Sequence, residues 1–146
     1  MDYRPLLSAT LEDPLKLTWP VLVSPKLDGL RCIIKDGMAL SRNLKPFRNK
    51  HVQECLRGLP NGLDGELIVG EPNVGNVLGR TQSGIMSSDG APDFRFHVFD
   101  NFDQPDRAFK ARHWSLHDVK HSRITVVPHY LVEGIEDFAE YEKEIV

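Results

Sequence analysis

The 146-residue chain has 40% hydrophobic and 27% charged residues, with a formal net charge of −3 at pH 7. That balance marks a soluble globular chain and excludes a disordered one. No run approaches the roughly 18 apolar residues of a membrane span, and Met1 to Pro5 lacks the cationic and apolar stretches of a secretory signal.

The length fits one domain. Cys32 and Cys55 have neither metal-ligand spacing nor a disulfide framework, so a reduced, cytoplasmic compartment is expected. A pI of about 6.0 argues at face value against a nucleic-acid clamp. The average conceals a pattern. Lys26 to Arg57 carries eight basic and three acidic residues, net +5, whereas Glu133 to Val146 has six acids and one lysine, net −5. A basic front half suits an anionic ligand.

In chain order, Val21-Leu22-Val23 and Leu30 to Ile34 read as strands around a Pro- and Gly-punctuated turn. Asp36-Gly37 predicts a hairpin into a strand over Met38 to Ser41. A short helix is predicted over 51–57, ending before Gly58, and a strand from Leu63 to Val69. Gly70 to Gly90, with five glycines, reads as turns. Phe94 to Phe99 alternates like a half-buried strand, Asp106 to Lys120 reads as a helix, and Ile124 to Val127 as a strand. The expected class is α+β, with mainly antiparallel sheets and flanking helices, because adjacent strands are joined by short turns. Ile135, Phe138, Ala139 and Ile145 predict a terminal amphipathic helix with no stop signal, as expected of a fragment.

Lys26-Leu27-Asp28-Gly29-Leu30-Arg31 concentrates chemistry. A lysine desolvated between strands becomes nucleophilic near neutral pH, and Asp28 and Arg31 would flank it with opposite charges. The alternative is a solvated hairpin of mixed charge. Glu66 stands inside an apolar strand, so it needs a metal, a cation or ligand hydroxyls as partner, or else faces outward. Phe96 to Phe102 sets aromatic rings at a strand end, fit to sandwich a purine or to pack a core. Arg42, within Ser41-Arg42-Asn43, could grip a phosphate with both arms of its guanidinium. His113, His117 and His121 recur every four residues as zinc ligands might, but with no fourth ligand nearby they read as a solvated helix face.

Taken together and in order, Lys-x-Asp-Gly-x-Arg, Ser-Arg, Leu-Asp-Gly-Glu-Leu and Val-Phe-Asp-x-Phe resemble motifs I, Ia, III and IIIa of the covalent nucleotidyltransferases. These are the DNA ligases, RNA ligases and mRNA capping enzymes. Ser24 to Arg31 looks most like the small viral and bacteriophage ATP-dependent DNA ligases. The resemblance implies a nucleotidyltransferase (ligase adenylation) domain over 1–146, ending before motif IV and without an OB domain. It also implies a lysyl-AMP intermediate on Lys26 that seals nicks in duplex DNA. By matching positions, Arg31 would contact the nucleotide and Glu66 the ribose or a metal-bound water. Phe99 would stack on adenine, Ser24 would meet its edge, Arg42 would hold the nick 5′-phosphate and Asp28 would assist at the 3′-end. ATP and Mg²⁺ are the implied cofactors, and a monomer with no membrane partner is expected, in the host cytoplasm if viral.

Glu133-Gly134-Ile135 is followed by Glu136-Asp137 and the predicted amphipathic helix, which departs from motif IV. With motifs IV to VI missing, the triphosphate would be poorly neutralised and this chain alone would adenylate slowly or not at all. The resemblance leaves RNA ligase and capping guanylyltransferase as alternatives within the superfamily. A non-catalytic fragment that binds nucleotide or DNA is the alternative of another class.

Overall fold

The computed structural model describes residues 20–72, 74–103, 106–134, 136 and 140. Ile135, Phe138, Ala139 and Ile145, on which the terminal helix was predicted, lie outside the described residues. The described residues fall into two compact units, 27–126 and 20–26 with 127–140.

The described part of the smaller unit is an antiparallel ribbon of β1 (Val21–Val23) and β7 (Tyr130–Val132), with Val21 opposite Val132. Strand β7 was not predicted.

The larger unit is a five-stranded sheet in the order β3-β2-β4-β5-β6. Its strands are β2 (Leu30–Lys35), β3 (Met38–Leu40), β4 (Leu63–Val69), β5 (Phe94–Asn101) and β6 (Ile124–Val126). The β2–β3 hairpin turns on Asp36 and Gly37 at φ of 52° and 77°, the left-handed pair that an Asp-Gly turn supplies. The first four strands run antiparallel, as expected, but β6 lies parallel to β5, which makes the sheet mixed. The reason is the long connection after β5, which holds a helix and so permits a crossover.

Alternation gives the sheet two distinct faces. Cys32, Ile34, Leu63, Leu67, Phe94, Phe96 and Val98 turn to one side and pack against Val52, Leu56, Ile85 and Leu116. Each such large side chain contributes about 1.5–3 kcal/mol by leaving water. The intervening residues of the same strands, Arg31, Asp64, Glu66 and His97 among them, occupy the other side. At Gly65 the β4–β5 register slips, with Gly65 opposite Val98 but Asp64 opposite Asp100. Phe99 is therefore an extra residue, and the bulge returns Asp100 to the face of Asp64.

Helix α1 (Lys50–Leu56) starts at buried Asn49, whose side chain accepts from the Val52 N–H at 3.0 Å. Gly58, at φ 87°, closes it in the left-handed conformation. Helix α2 (Val77–Ile85) falls in the stretch read as turns, and it corrects that reading. Its glycines masked a helical pattern of buried Val77, Thr81 and Ile85. Arg80 donates to the carbonyls of Val69, Glu71 and Val74, and the Thr81 hydroxyl accepts from the Val69 N–H, so tertiary bonds offset a weak propensity. Helix α3 (Phe109–Ser115) is shorter than predicted and tightens into a 3-10 turn, Leu116–Asp118.

Candidate functional site

The polar face of the larger unit gathers three of the residues singled out above. Arg31, on β2, lies opposite Glu66 on β4, which lies opposite His97 on β5, which in turn lies opposite Thr125 on β6. Cross-strand register thus lays a polar row over four strands.

Arg31 is held on this face by Asp64. Its Nε donates to Asp64 Oδ1 and its Nη2 to Oδ2, each at 2.7 Å, the bidentate geometry that a planar fork makes with a carboxylate. Asp64 is buried, at 1% exposed, so this pairing compensates its charge. The guanidinium carbon stands 4.8 Å from the centre of the Phe99 ring, a cation–π contact. Beside it, Arg112 of α3 pairs with Asp100 at 3.0 and 3.3 Å, tying the helix to the end of β5 just past the bulge.

Glu66 accepts a 2.8 Å hydrogen bond from the backbone N–H of Gly29. Burial pushes its carboxyl above the usual range, while the Gly29 bond and Arg31 oppose that shift. Gly29 is required there by close approach: a Cβ would collide with the carbonyl oxygen of Leu67 and press on the Glu66 carboxylate.

The remaining predicted positions are placed differently. Lys26 belongs to the smaller unit and is exposed. Ser24 is half-buried in the same unit. Asp28 is exposed, and the partner of Arg31 is Asp64 rather than a charge beside Lys26. Arg42 is exposed in the turn after β3, where the Leu44 N–H bonds to Ser41 O and the Ser41 N–H to Lys45 O. The helix on which three histidines were to align ends at Ser115, and His121 instead bonds the Cys55 carbonyl oxygen at 3.0 Å.

Two residues of the face were missed, Asp64 and His97. Asp64 was legible as a second carboxylate beside Glu66 but needed a register to meet Arg31. His97 is 7% exposed, and among the described residues its Nε2 has no hydrogen-bond partner. Its place in an alternating strand hid it among aromatic residues.

Glu66 is the carboxylate of this face left by the Arg31–Asp64 pair to meet a hydrated magnesium ion brought by a nucleotide's phosphates. Among the described residues no group of three or more His, Cys, Asp or Glu is placed to hold a metal. Nor, among those residues, is any helix long and apolar enough to cross a membrane.

Neither a protein-family profile nor a curated protein sequence matches the chain. Solved structures do. A structure of the Chlorella virus DNA ligase-adenylate superposes over 97% of this chain and 55% of its own, at 26% identity and a TM-score of 0.83. Another structure of Chlorella virus DNA ligase-adenylate is 28% identical over 98% of this chain and 56% of its own, at a TM-score of 0.76. The chain is similar in fold and sequence to ATP-dependent DNA ligases of the small viral type. The bacteriophage T7 ATP-dependent DNA ligase in complex with ATP shares the fold, at 13% identity and a TM-score of 0.55 over 86% of this chain. The chain spans about half the length of the Chlorella virus structures. Its α+β fold is that of their nucleotidyltransferase domain.

Proposed function

We propose that this chain binds ATP, as its magnesium complex, and carries the lysine that becomes adenylated. The observation that carries the reading is the single face on which Arg31 is clamped over Phe99 and Glu66 is held by Gly29. A half-buried ring at a bulge offers a surface for a purine, and a guanidinium and a carboxylate beside it suit the phosphate and sugar of one nucleotide.

In this reading Lys26 Nζ attacks the α-phosphorus of ATP. The N–P bond forms as the bond to the bridging oxygen breaks, pyrophosphate leaves with the electron pair, and the amine proton passes to solvent. The AMP then passes to the 5′-phosphate of a nick in duplex DNA, and the 3′-hydroxyl displaces it as the new phosphodiester forms. Arg31 contacts the nucleotide, Phe99 stacks on adenine, Glu66 holds a ribose hydroxyl and Ser24 meets the base edge. Arg42, exposed in its turn, takes the nick phosphate, and Asp28 assists at the 3′-end. The whole chain serves as the adenylation domain, and with few cations for the leaving pyrophosphate it adenylates slowly or not at all on its own.

Incubation with ATP, GTP or NAD labelled in the nucleotidyl group tests this. The expected result is substoichiometric label on Lys26 from ATP only, absent in Lys26→Ala. Stoichiometric addition overturns the slow reading, label from GTP points to capping chemistry, and ATP binding without any adduct identifies a non-catalytic nucleotide-binding domain.

A further inference from the structure

Helix α3 carries an open aromatic ring among cations. Arg112 is tied to Asp100 on β5 and to the Arg107 carbonyl, and Leu116 just beyond the helix is buried, so α3 is pinned along one side. Lys110 and Trp114 stand one turn apart on the opposite side, and both are exposed. Trp114 is 75% exposed, although indoles are mostly buried in folded chains. His117 meets its ring edgewise at 5.5 Å and His113 meets His117 at 5.9 Å, which steadies the indole without covering it. Arg107 to Arg123 carries five basic residues and one acid, net +4 with the histidines neutral. At the C-terminal end of the helix a cavity of about 450 Å³ opens between Ser115, Lys120 and Arg57, with Asn101 also in its wall and Asp118 its one acid.

We propose that this face of α3 binds an unpaired nucleic-acid strand: one base stacks on Trp114, while the phosphates to either side meet Lys110 and the Arg57–Lys120 groove. A flat indole held open between cations matches the alternation of base and phosphate along a strand. The charge is complementary to the phosphates, and the ring selects what they are attached to. A duplex keeps its base faces inside the stack, so a fully paired helix engages the cations and leaves the ring unused. An acidic peptide also answers the cations, but it supplies no planar ring at every step. The face shares no residue with that of Arg31, Glu66 and Phe99, so it stands independently of the nucleotide reading above.

The 146-residue chain has two tryptophans, Trp19 and Trp114, so Trp19→Phe leaves the indole of the proposed platform as the reporter. Titration with an oligothymidylate or an oligouridylate of about 12 nucleotides is expected to quench that fluorescence, and the tighter of the two identifies the strand as DNA or RNA. Anisotropy of a labelled strand makes the same measurement on the chain with Trp19 intact. There, Trp114→Ala is expected to weaken binding about tenfold and Trp114→Phe to recover much of the loss. Lys110→Gln is expected to lower the slope of log affinity against log salt by about 0.7. These exposed positions leave the melting temperature unchanged, and a Trp114→Ala chain that melts far lower overturns a surface role. No binding by the wild-type chain, equal affinity in Trp114→Ala, or equal quenching by a blunt-ended duplex, inorganic polyphosphate or polyglutamate overturns the proposal. A wild-type dimer that Trp114→Ala converts to a monomer overturns it too, and assigns the face to contact between copies of the chain.

Discussion

Asp64 grips the Arg31 guanidinium through two 2.7 Å bonds while the same guanidinium lies over the Phe99 ring. The buried carboxylate thereby sets the position of the cation proposed to meet a nucleotide. Asp64→Asn leaves that cation partly buried without its counter-charge and is expected to cost about 3 kcal/mol in urea unfolding. Replacing both partners, Arg31→Met with Asp64→Leu, is expected to recover much of that loss while leaving ATP binding impaired. Equal destabilisation by the single and double variants would show that charge compensation is not what Asp64 supplies.

The two titrating neighbours of the row give stability opposite dependences on pH. Glu66 is raised, by burial first, so as pH rises the unfolded chain releases this proton before the folded one. Its contribution is present below the ordinary glutamate range and is lost as pH climbs through the higher folded value. His97 is lowered, so its contribution is present at neutral pH and fades as pH falls through and below the ordinary histidine range. Glu66→Gln, which keeps an acceptor for Gly29, is expected to remove the first slope, and His97→Leu the second. Chemical denaturation at closely spaced pH values reads both, and slopes unchanged from wild type contradict the assignments.

Close backbone approach accounts for two glycines of this region. A Cβ on Gly65 would strike the carbonyl oxygen of His97, and one on Gly29 the carbonyl oxygen of Leu67. Each alanine variant is expected to cost about 1–3 kcal/mol through forced strand separation. Gly29→Ala is also expected to weaken ATP binding by displacing Glu66. Gly134, with open space around it, is the control and changes by less than about 0.5 kcal/mol.

Asn49 separates capping from tertiary bonding. Its Oδ1 caps α1, while its Nδ2 donates to the carbonyl of Ser87 at 2.8 Å and approaches those of Asp89 and Gly90. Aspartate caps a helix as well as asparagine does, but it would set a buried carboxylate against those carbonyls. Asn49→Asp is therefore expected to destabilise more than Asn49→Ala, which loses about 2 kcal/mol. A melting series with the order reversed would show that capping dominates.

Much of the fold was legible because its signals are local. Strand β4 was predicted over its full length, and the Asp36-Gly37 turn by its dipeptide. Arg31, Glu66 and Phe99 were identified, and the structure brings them to one face. Helix α2 was not legible, because the bonds from Arg80 and Thr81 that hold it come from outside its own periodicity.

The amino-acid sequence by itself determined the order of the motifs, the alternation that builds each strand and the residue types able to meet a nucleotide. Only the tertiary structure decided which carboxylate holds Arg31, that β6 runs parallel to β5, and that His97 stands beside Glu66, its Nε2 without a partner among the described residues. The physical reason is register. Alternation settles which residues share a face of one strand, but a slip of one residue between strands exchanges every cross-strand neighbour. The bulge at Phe99, which sets ring, carboxylate and guanidinium together, exists only once β4 and β5 are paired.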